Sequence, residues 1–214
     1  MNRRQALKNF GLGAGILIVG PSTLSLLQSC KNEAKSDWQP IFLSTSNGLA
    51  LKEILNVIIP KTDTPGATDL NLAQFIDSYM DEVASIERQQ YFKRSADAFA
   101  VAFKKEFDKN LDKGKKKDFE KILTKYLSAS PEEQEIFAKR ETETQDPMDK
   151  IPELEMDPDA GSLSYLKDVR QMAIWAWKTS EQIGENVLWY DPIPGQYIPC
   201  APVKDLGNGM AMSL

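Results

Sequence analysis

From Leu72 onward the apolar residues Leu72, Phe75, Ile76, Tyr79, Met80 and Val83 return every three or four positions. That spacing follows the turn of an α-helix, not the two-residue period of a strand, and it predicts an amphipathic helix with its stripe against a core. The same period runs through most of the chain. Leu51, Ile54, Leu55 and Ile58 keep it up to Pro60, which has no amide proton to continue a helix. Phe92, Ala96, Phe99, Phe103 and Phe107 carry it to a break over residues 110–117, where Gly114 and four lysines read as a solvated loop. Phe119, Ile122, Leu123, Tyr126 and Leu127 then resume it.

Helix signals continue beyond that point. Ser130-Pro131-Glu132-Glu133 offers an N-cap, a proline at the first helical position and a glutamate that reaches back, so a helix should follow Ser130. Residues 141–161 are rich in acids and carry Pro147, Pro152 and Pro158, the composition of a loop. Leu163, Leu166, Val169, Ala173 and Trp177 share one helical face, widened by Tyr165, Met172 and Trp175, and predict a deeply buried helix whose tryptophans pack in the core. After Trp189 and Tyr190 the run DPIPGQYIPCAP forbids a helix and favours extended structure. No run of alternating strands and no internal repeat is visible. These patterns give an all-α fold: a helical, bundle-like single domain with a proline-rich extended C-terminal segment, within the size range of one core for 214 residues.

Composition narrows the chemistry. The chain has no histidine, and therefore lacks the usual general base near neutral pH and the commonest nitrogen ligand for metals. Its two cysteines, Cys30 and Cys200, do not form a CxxC or CxxCH spacing. Asp157 with Asp159, or Glu132 with Glu133, are acid pairs of the kind that acid–base catalysis or calcium uses, but solvated surface acids are the plainer reading. No phosphate-binding glycine loop or nucleophile elbow is present; Gly11, Gly13 and Gly15 lie in the N-terminal apolar stretch. The sequence thus predicts no catalytic residue, no metal site and no cofactor in this chain. Arg3, Arg4 and Lys8 are the charges of residues 1–29, and removing them takes the formal net charge from −5 to −8. So acidic a remainder, without a basic, aromatic-interleaved stripe along the chain, argues against nucleic acid as a partner.

The N-terminus reads as an address. A basic head, a moderately apolar stretch from Phe10 to Val19 and small residues before Cys30 follow the order of a signal peptide. Four glycines and Pro21 dilute and break the apolar run, which favours a cleaved signal over the alternative of a permanent membrane helix. Arg3-Arg4 with Gln5-Ala6-Leu7-Lys8 resembles the twin-arginine export motif, with Ala6 where Phe or Leu is usual. Leu27-Gln28-Ser29-Cys30 resembles a lipobox, with Gln28 at a position where a small residue is usual. Cys30 is then a lipid anchor; the alternatives are a free cysteine in a signal remnant and a disulfide with Cys200. The expected organisation is an export signal over 1–29, the lipidated cysteine and a tether over 30–45, and a helical domain over 46–214. Export by the twin-arginine route, to a periplasmic location held at a membrane through Cys30, is the expected destination.

Two segments remain. Residues 61–66, Lys-Thr-Asp-Thr-Pro-Gly, place Pro65 before Gly66, the order of a type II turn in which glycine takes positive φ, and Asp63 is positioned to cap or brace it. The turn is either a tight connection between helices or a contact for a partner. The tail from Asp191 to Pro202, with Tyr190, Pro192, Pro194, Gly195 and Tyr197, either docks on a partner, since rigid segments lose little entropy, or wraps its own domain.

The segment IIPKTDTPGATDLNLAQFID and the segment WYDPIPGQYIPC, with the aromatic helix before the second, resemble the gluconate 2-dehydrogenase subunit 3 family. The matching positions are Pro60, Asp63, Pro65, Gly66, Phe75 and Ile76, then Tyr190, Asp191, Pro192, Pro194, Gly195 and Tyr197. The resemblance implies a small helical subunit that accompanies a large FAD-bearing subunit of the glucose-methanol-choline type, often with a cytochrome c subunit. It implies a role in folding, export and membrane attachment of that partner, with no catalytic residue of its own and no particular sugar. A stand-alone carboxylate-based sugar-active enzyme and a sugar-binding lipoprotein are the competing functions.

Overall fold

The computed structural model describes residues 38–144, 156–190, 195, 200–205 and 207–213; the export segment with Arg3 and Arg4, and Cys30, lie outside them. Among the described residues the helices are α1 (Thr45–Ile58), α2 (Leu72–Glu82), α3 (Ile86–Phe107), α4 (Lys116–Leu127), α5 (Pro131–Thr144), α6 (Pro158–Thr179) and α7 (Glu181–Asn186). Short 3-10 turns stand at Leu111–Lys113, Val203–Asp205 and Gly207–Gly209. Extended pairing in this set is confined to a parallel bridge between Trp189 and Met212. The fold is all-α, and Gln39–Leu214 forms one compact unit.

Helix α6 is the axis of the unit, because each of the other six helices packs against it. Its sequence explains this. Ala160, Gly161, Ala173 and Ala176 are buried beside Leu163, Tyr165, Leu166, Val169 and Met172, so small residues let neighbours close in while large ones fill the space between. The tightest partner is α3, whose Phe92 and Phe99 rings lie 5.2 and 5.6 Å from the Tyr165 ring. Phe103 extends this aromatic core to Phe119 of α4, at 5.1 Å. Each fully buried side chain of this size stabilises the fold by about 1.5–3 kcal/mol relative to exposure.

Helix ends follow the local chemistry. Ser44 and Ser85 accept from the backbone N–H groups of Asn47 and Arg88 at the starts of α1 and α3. The box expected at Ser130 is formed in both directions: Glu133 N–H donates to Ser130 Oγ at 3.2 Å, and Ser130 N–H donates to Glu133 Oε2 at 2.9 Å. The expected loop over 141–161 is shorter than its composition suggests. Helix α5 runs on to Thr144, and α6 begins at Pro158, residues 145–155 lying outside the described set. Pro158 starts a helix here because Asp157 caps it, accepting from the N–H groups of Asp159 and Ala160 at 3.0 and 2.9 Å.

The chain before α1 is fastened by a buried carboxylate. Asp77, 1% exposed on α2, accepts from the N–H groups of Ile41, Phe42 and Leu43 at 2.7, 3.3 and 2.9 Å. These bonds satisfy backbone donors that no helix supplies with acceptors, and seat Phe42 and Leu43 in the core.

At the other end, Trp189 N–H donates to the Ala211 carbonyl at 2.9 Å, and Ser213 N–H donates to that of Trp189 at 2.7 Å. Gly207, at φ +54°, lies against the Trp189 ring where a Cβ would collide. Of the proline-rich tail, Asp191, Pro192, Pro194 and Tyr197 lie outside the described residues, while Gly195 and Cys200 are exposed and Cys200 is a free thiol.

Candidate partner interface

The stripe on α2 is wider than the core that receives it. Leu72, Ala73, Ile76, Asp77 and Met80 are the buried residues of α2, a face rotated toward Ala73 and Asp77 from the one the apolar spacing marks. The apolar edge left over is on the surface: Phe75 is 42% exposed and Val83, just past the helix end, 65%. Helix α6 has a similar surplus. Trp175 is 43% exposed and Ile174 44%, so the expectation that both tryptophans of this helix pack in the core fails for Trp175. The reason is periodicity: Trp175 sits three positions from Met172 but only one from Ile174, on the margin of a stripe whose centre is Leu166, Val169 and Ala173.

These margins meet. Trp175 lies 5.5 Å from Phe75 and 5.5 Å from Tyr79, ring centre to ring centre, and Phe75 is 6.4 Å from Tyr79. Three rings are thus packed on one another at the surface, held in place before any ligand arrives. Exposed aromatic clusters on a rigid helical base are the usual anchors of protein interfaces.

The loop over residues 61–66 borders the same end of α6. Trp177 donates from its indole Nε1 to the Pro65 carbonyl at 2.9 Å, tying the loop to the central helix. Gly66 is buried, and its φ is not positive, so the expected type II turn is not formed. Glycine is required there for closeness: a Cβ would stand 2.5 Å from the Lys61 amide nitrogen and 2.8 Å from its Cα. The left-handed residue of this connection is Asn71, at φ 52°, a conformation asparagine tolerates better than most.

The acid that braces the loop is Asp69, not Asp63. Asp69 accepts from Lys61 Nζ at 2.8 Å and from the Gly66 N–H at 2.9 Å. The Lys61 hydrogen bond first, then the Gly66 N–H, hold its carboxyl below the ordinary value. Asp63 is exposed, as is Tyr190. The structure therefore brings Pro65 and Gly66 together with Trp177, and Phe75 with Trp175, whereas Asp63, Tyr190 and Gly195 stand at the surface apart from these bonds.

The acid pairs are structural. Asp159 accepts from the Tyr126 hydroxyl at 2.7 Å and pairs with Arg140 at 2.8 Å and Lys125 at 3.7 Å, while Asp157 and Glu133 cap helices. Burial and the Asp159 carboxylate push the Tyr126 hydroxyl above its ordinary range. Asp157 and Asp159 are thus half-buried and engaged within the fold, a correction to the reading of solvated surface acids, whereas Glu132 and Glu133 are exposed as that reading expects.

Among the described residues no helix is long and apolar enough to cross a membrane, and no group of acids and cysteines is arranged to hold a metal ion. The apolar periodicity alone marks neither Asp69 nor Asp77. The signal for Asp77 was a carboxylate one residue from Ile76 and three from Met80, inside an apolar stripe, where burial demands a partner.

Comparison with known proteins places the chain. It matches no curated protein and no solved structure. The model of the family described as gluconate 2-dehydrogenase subunit 3 matches residues 46–195, which include the whole first motif segment and the second as far as Gly195. The chain belongs to the gluconate 2-dehydrogenase subunit 3 family, and so is of a kind that serves as one subunit of a dehydrogenase complex beside a larger partner.

Proposed function

We propose that the chain is the non-catalytic small subunit of a flavin-dependent sugar dehydrogenase and supports the folding, export and membrane attachment of its large, FAD-bearing subunit. The observation that carries this reading is the pre-packed, exposed Phe75–Tyr79–Trp175 cluster on a member of a subunit family. Such a surface suits a lasting contact with a protein, since its rings are already ordered and lose little freedom on docking. The engagement of Asp157, Asp159 and Glu133 in caps and ion pairs favours a subunit over a carboxylate-based enzyme, as these acids already serve the fold. Arg3, Arg4 and Cys30 supply the route: twin-arginine export carries a folded, cofactor-loaded partner across, and a lipidated Cys30 holds the complex at the membrane from the periplasmic side. A cytochrome c subunit is the natural electron acceptor for such a complex.

The test is deletion in the native host, followed by fractionation. Without the chain, sugar-oxidising flavoprotein should vanish from the periplasmic membrane face, and full-length chain should restore it. A chain carrying Arg3→Lys and Arg4→Lys should leave the activity in the cytoplasm; Cys30→Ser should release it from the membrane. Unchanged activity and location after deletion would overturn the proposal.

A further inference from the structure

One face of α6 carries more than aromatic surplus. Lys167, Arg170, Gln171, Ile174, Trp175 and Lys178 recur at three- and four-residue spacing, so they form a single stripe along the outside of the central helix. Lys167 and Arg170 are exposed and Lys178 half-buried, and none of the three has an ion pair among the described residues. Several other lysines of this chain are matched with acids, Lys61 with Asp69, Lys109 with Asp118, Lys121 and Lys125 with Glu106, while Lys52, Lys104 and Lys105 are unmatched among the described residues but do not share one helical face with an apolar cluster. What sets Lys167, Arg170 and Lys178 apart is their place: three unmatched cations on one face beside exposed aromatic rings, on a chain whose formal net charge is −5.

We infer that this stripe, with Phe75 and Tyr79 beside Trp175, is the docking surface for an acidic, apolar-centred patch of the dehydrogenase's catalytic subunit; the inference rests on the accessory-subunit reading. Its anatomy is that of an interface: Ile174, Trp175 and Phe75 form an apolar centre, and Lys167, Arg170 and Lys178 the charged rim. Rim charges speed and orient encounter with an opposite patch, while a central tryptophan in contact with other rings carries the larger share of affinity. A membrane surface fits less well. Stable attraction to anionic lipid takes clusters of about four to eight cations, more than the three on this stripe. The net negative charge of the chain also opposes an anionic leaflet.

The experiment uses tagged full-length chain purified from its native membrane, with the co-purified subunit identified by flavin absorbance and sugar-oxidising turnover. That subunit is separated and titrated back against three variants whose circular dichroism and melting match the original. Trp175→Ala should weaken association about 30-fold, the loss typical of a hot-spot residue. The triple reversal Lys167→Glu, Arg170→Glu, Lys178→Glu should weaken it at least about tenfold and abolish most of its dependence on salt. The reversal Lys52→Glu, Lys104→Glu, Lys105→Glu changes net charge equally on other helices and should leave affinity within about threefold. Undiminished binding by both stripe variants overturns the inference and leaves the accessory reading standing. No flavoprotein in the wild-type eluate overturns both. Loss of sedimentation with phosphatidylglycerol vesicles by the stripe variants, with the protein complex intact, overturns it in favour of a lipid contact.

Discussion

Two aromatic clusters of nearly the same internal geometry stand in this molecule with opposite fates. In one, Phe92, Phe99 and Tyr165 pack at 5.2 and 5.6 Å and are all but inaccessible; in the other, Phe75, Tyr79 and Trp175 pack at 5.5 and 6.4 Å with Phe75 and Trp175 about two-fifths exposed. Ring chemistry does not separate them. What separates them is coverage: the first cluster fills the seam between α3 and α6, and the second lies along the margin where α2 and α6 meet solvent. The first is therefore expected to hold the fold together and the second to serve association, and substitutions can take the two roles apart.

The largest effect belongs to the buried cluster. Phe99→Ala removes a ring from the centre of the α3–α6 seam and should cost about 3–5 kcal/mol, seen as a large drop in the urea midpoint with unchanged slope. A loss below about 1 kcal/mol would mean the seam does not bear the load assigned to it. Asp77→Ala comes next. It leaves three backbone N–H groups near residues 41–43 without an acceptor, at a cost of about 2–3 kcal/mol in thermal or chemical unfolding. Hydrogen exchange should quicken first at the amides of Ile41, Phe42 and Leu43, because all three donate to the carboxylate that is removed.

How far these roles could be read beforehand depends on what the sequence records. Periodicity placed the helices, since apolar residues at 51, 54 and 55, or 163, 166 and 169, recur at a spacing only a helix brings to one side. Ser130 and Glu133 marked a boundary because capping is local chemistry within four residues. The face of α2 that turns inward was harder. Its six apolar residues define a stripe wider than the buried one, and only contact with α6 and with residues 41–43 decides which edge is covered. The apolar pattern misplaces Trp175 for the same reason. Its place after Pro65 suggests a positive φ for Gly66, whereas the need for glycine is set by the Lys61 backbone five residues earlier. Pro158 reads as a loop residue because a proline inside an acidic run looks like a breaker until Asp157 is seen to cap behind it. The fold was thus legible wherever the deciding interaction lay within one helical turn.

A smaller effect should follow Gly66→Ala. The added methyl meets backbone, which cannot swing aside, and the loop over 61–66 must shift, at about 1–3 kcal/mol. The Trp177 indole N–H resonance reports it directly, since its bond to the Pro65 carbonyl stretches or breaks. An unmoved resonance would show that the loop has slack. Trp175→Ala should cost about 1 kcal/mol or less in unfolding, because much of that ring is already in water, and its consequence should appear in association instead. A destabilisation equal to that of Phe99→Ala would erase the distinction between the clusters.

The smallest effect is a pH dependence confined to the loop. Asp69 has its carboxyl lowered by the hydrogen bond from Lys61 and then by the Gly66 N–H, so its folded value lies below the 3.8 of a free aspartate. A depressed carboxyl contributes its stabilisation above the unfolded value and loses it as pH falls through the folded one. The loop should therefore keep its bonds from neutrality to about pH 4 and loosen below it, with the Gly66 amide and the Trp177 indole shifting together. Solvent screens an exposed pair of this kind, so global unfolding should barely register the change. Asp69→Asn should remove the acid transition while leaving the Phe75–Tyr79–Trp175 rings packed. If the indole of Trp177 instead titrated near neutrality, the loop would be governed by a group other than Asp69, and the tie between this connection and α6 would need another source.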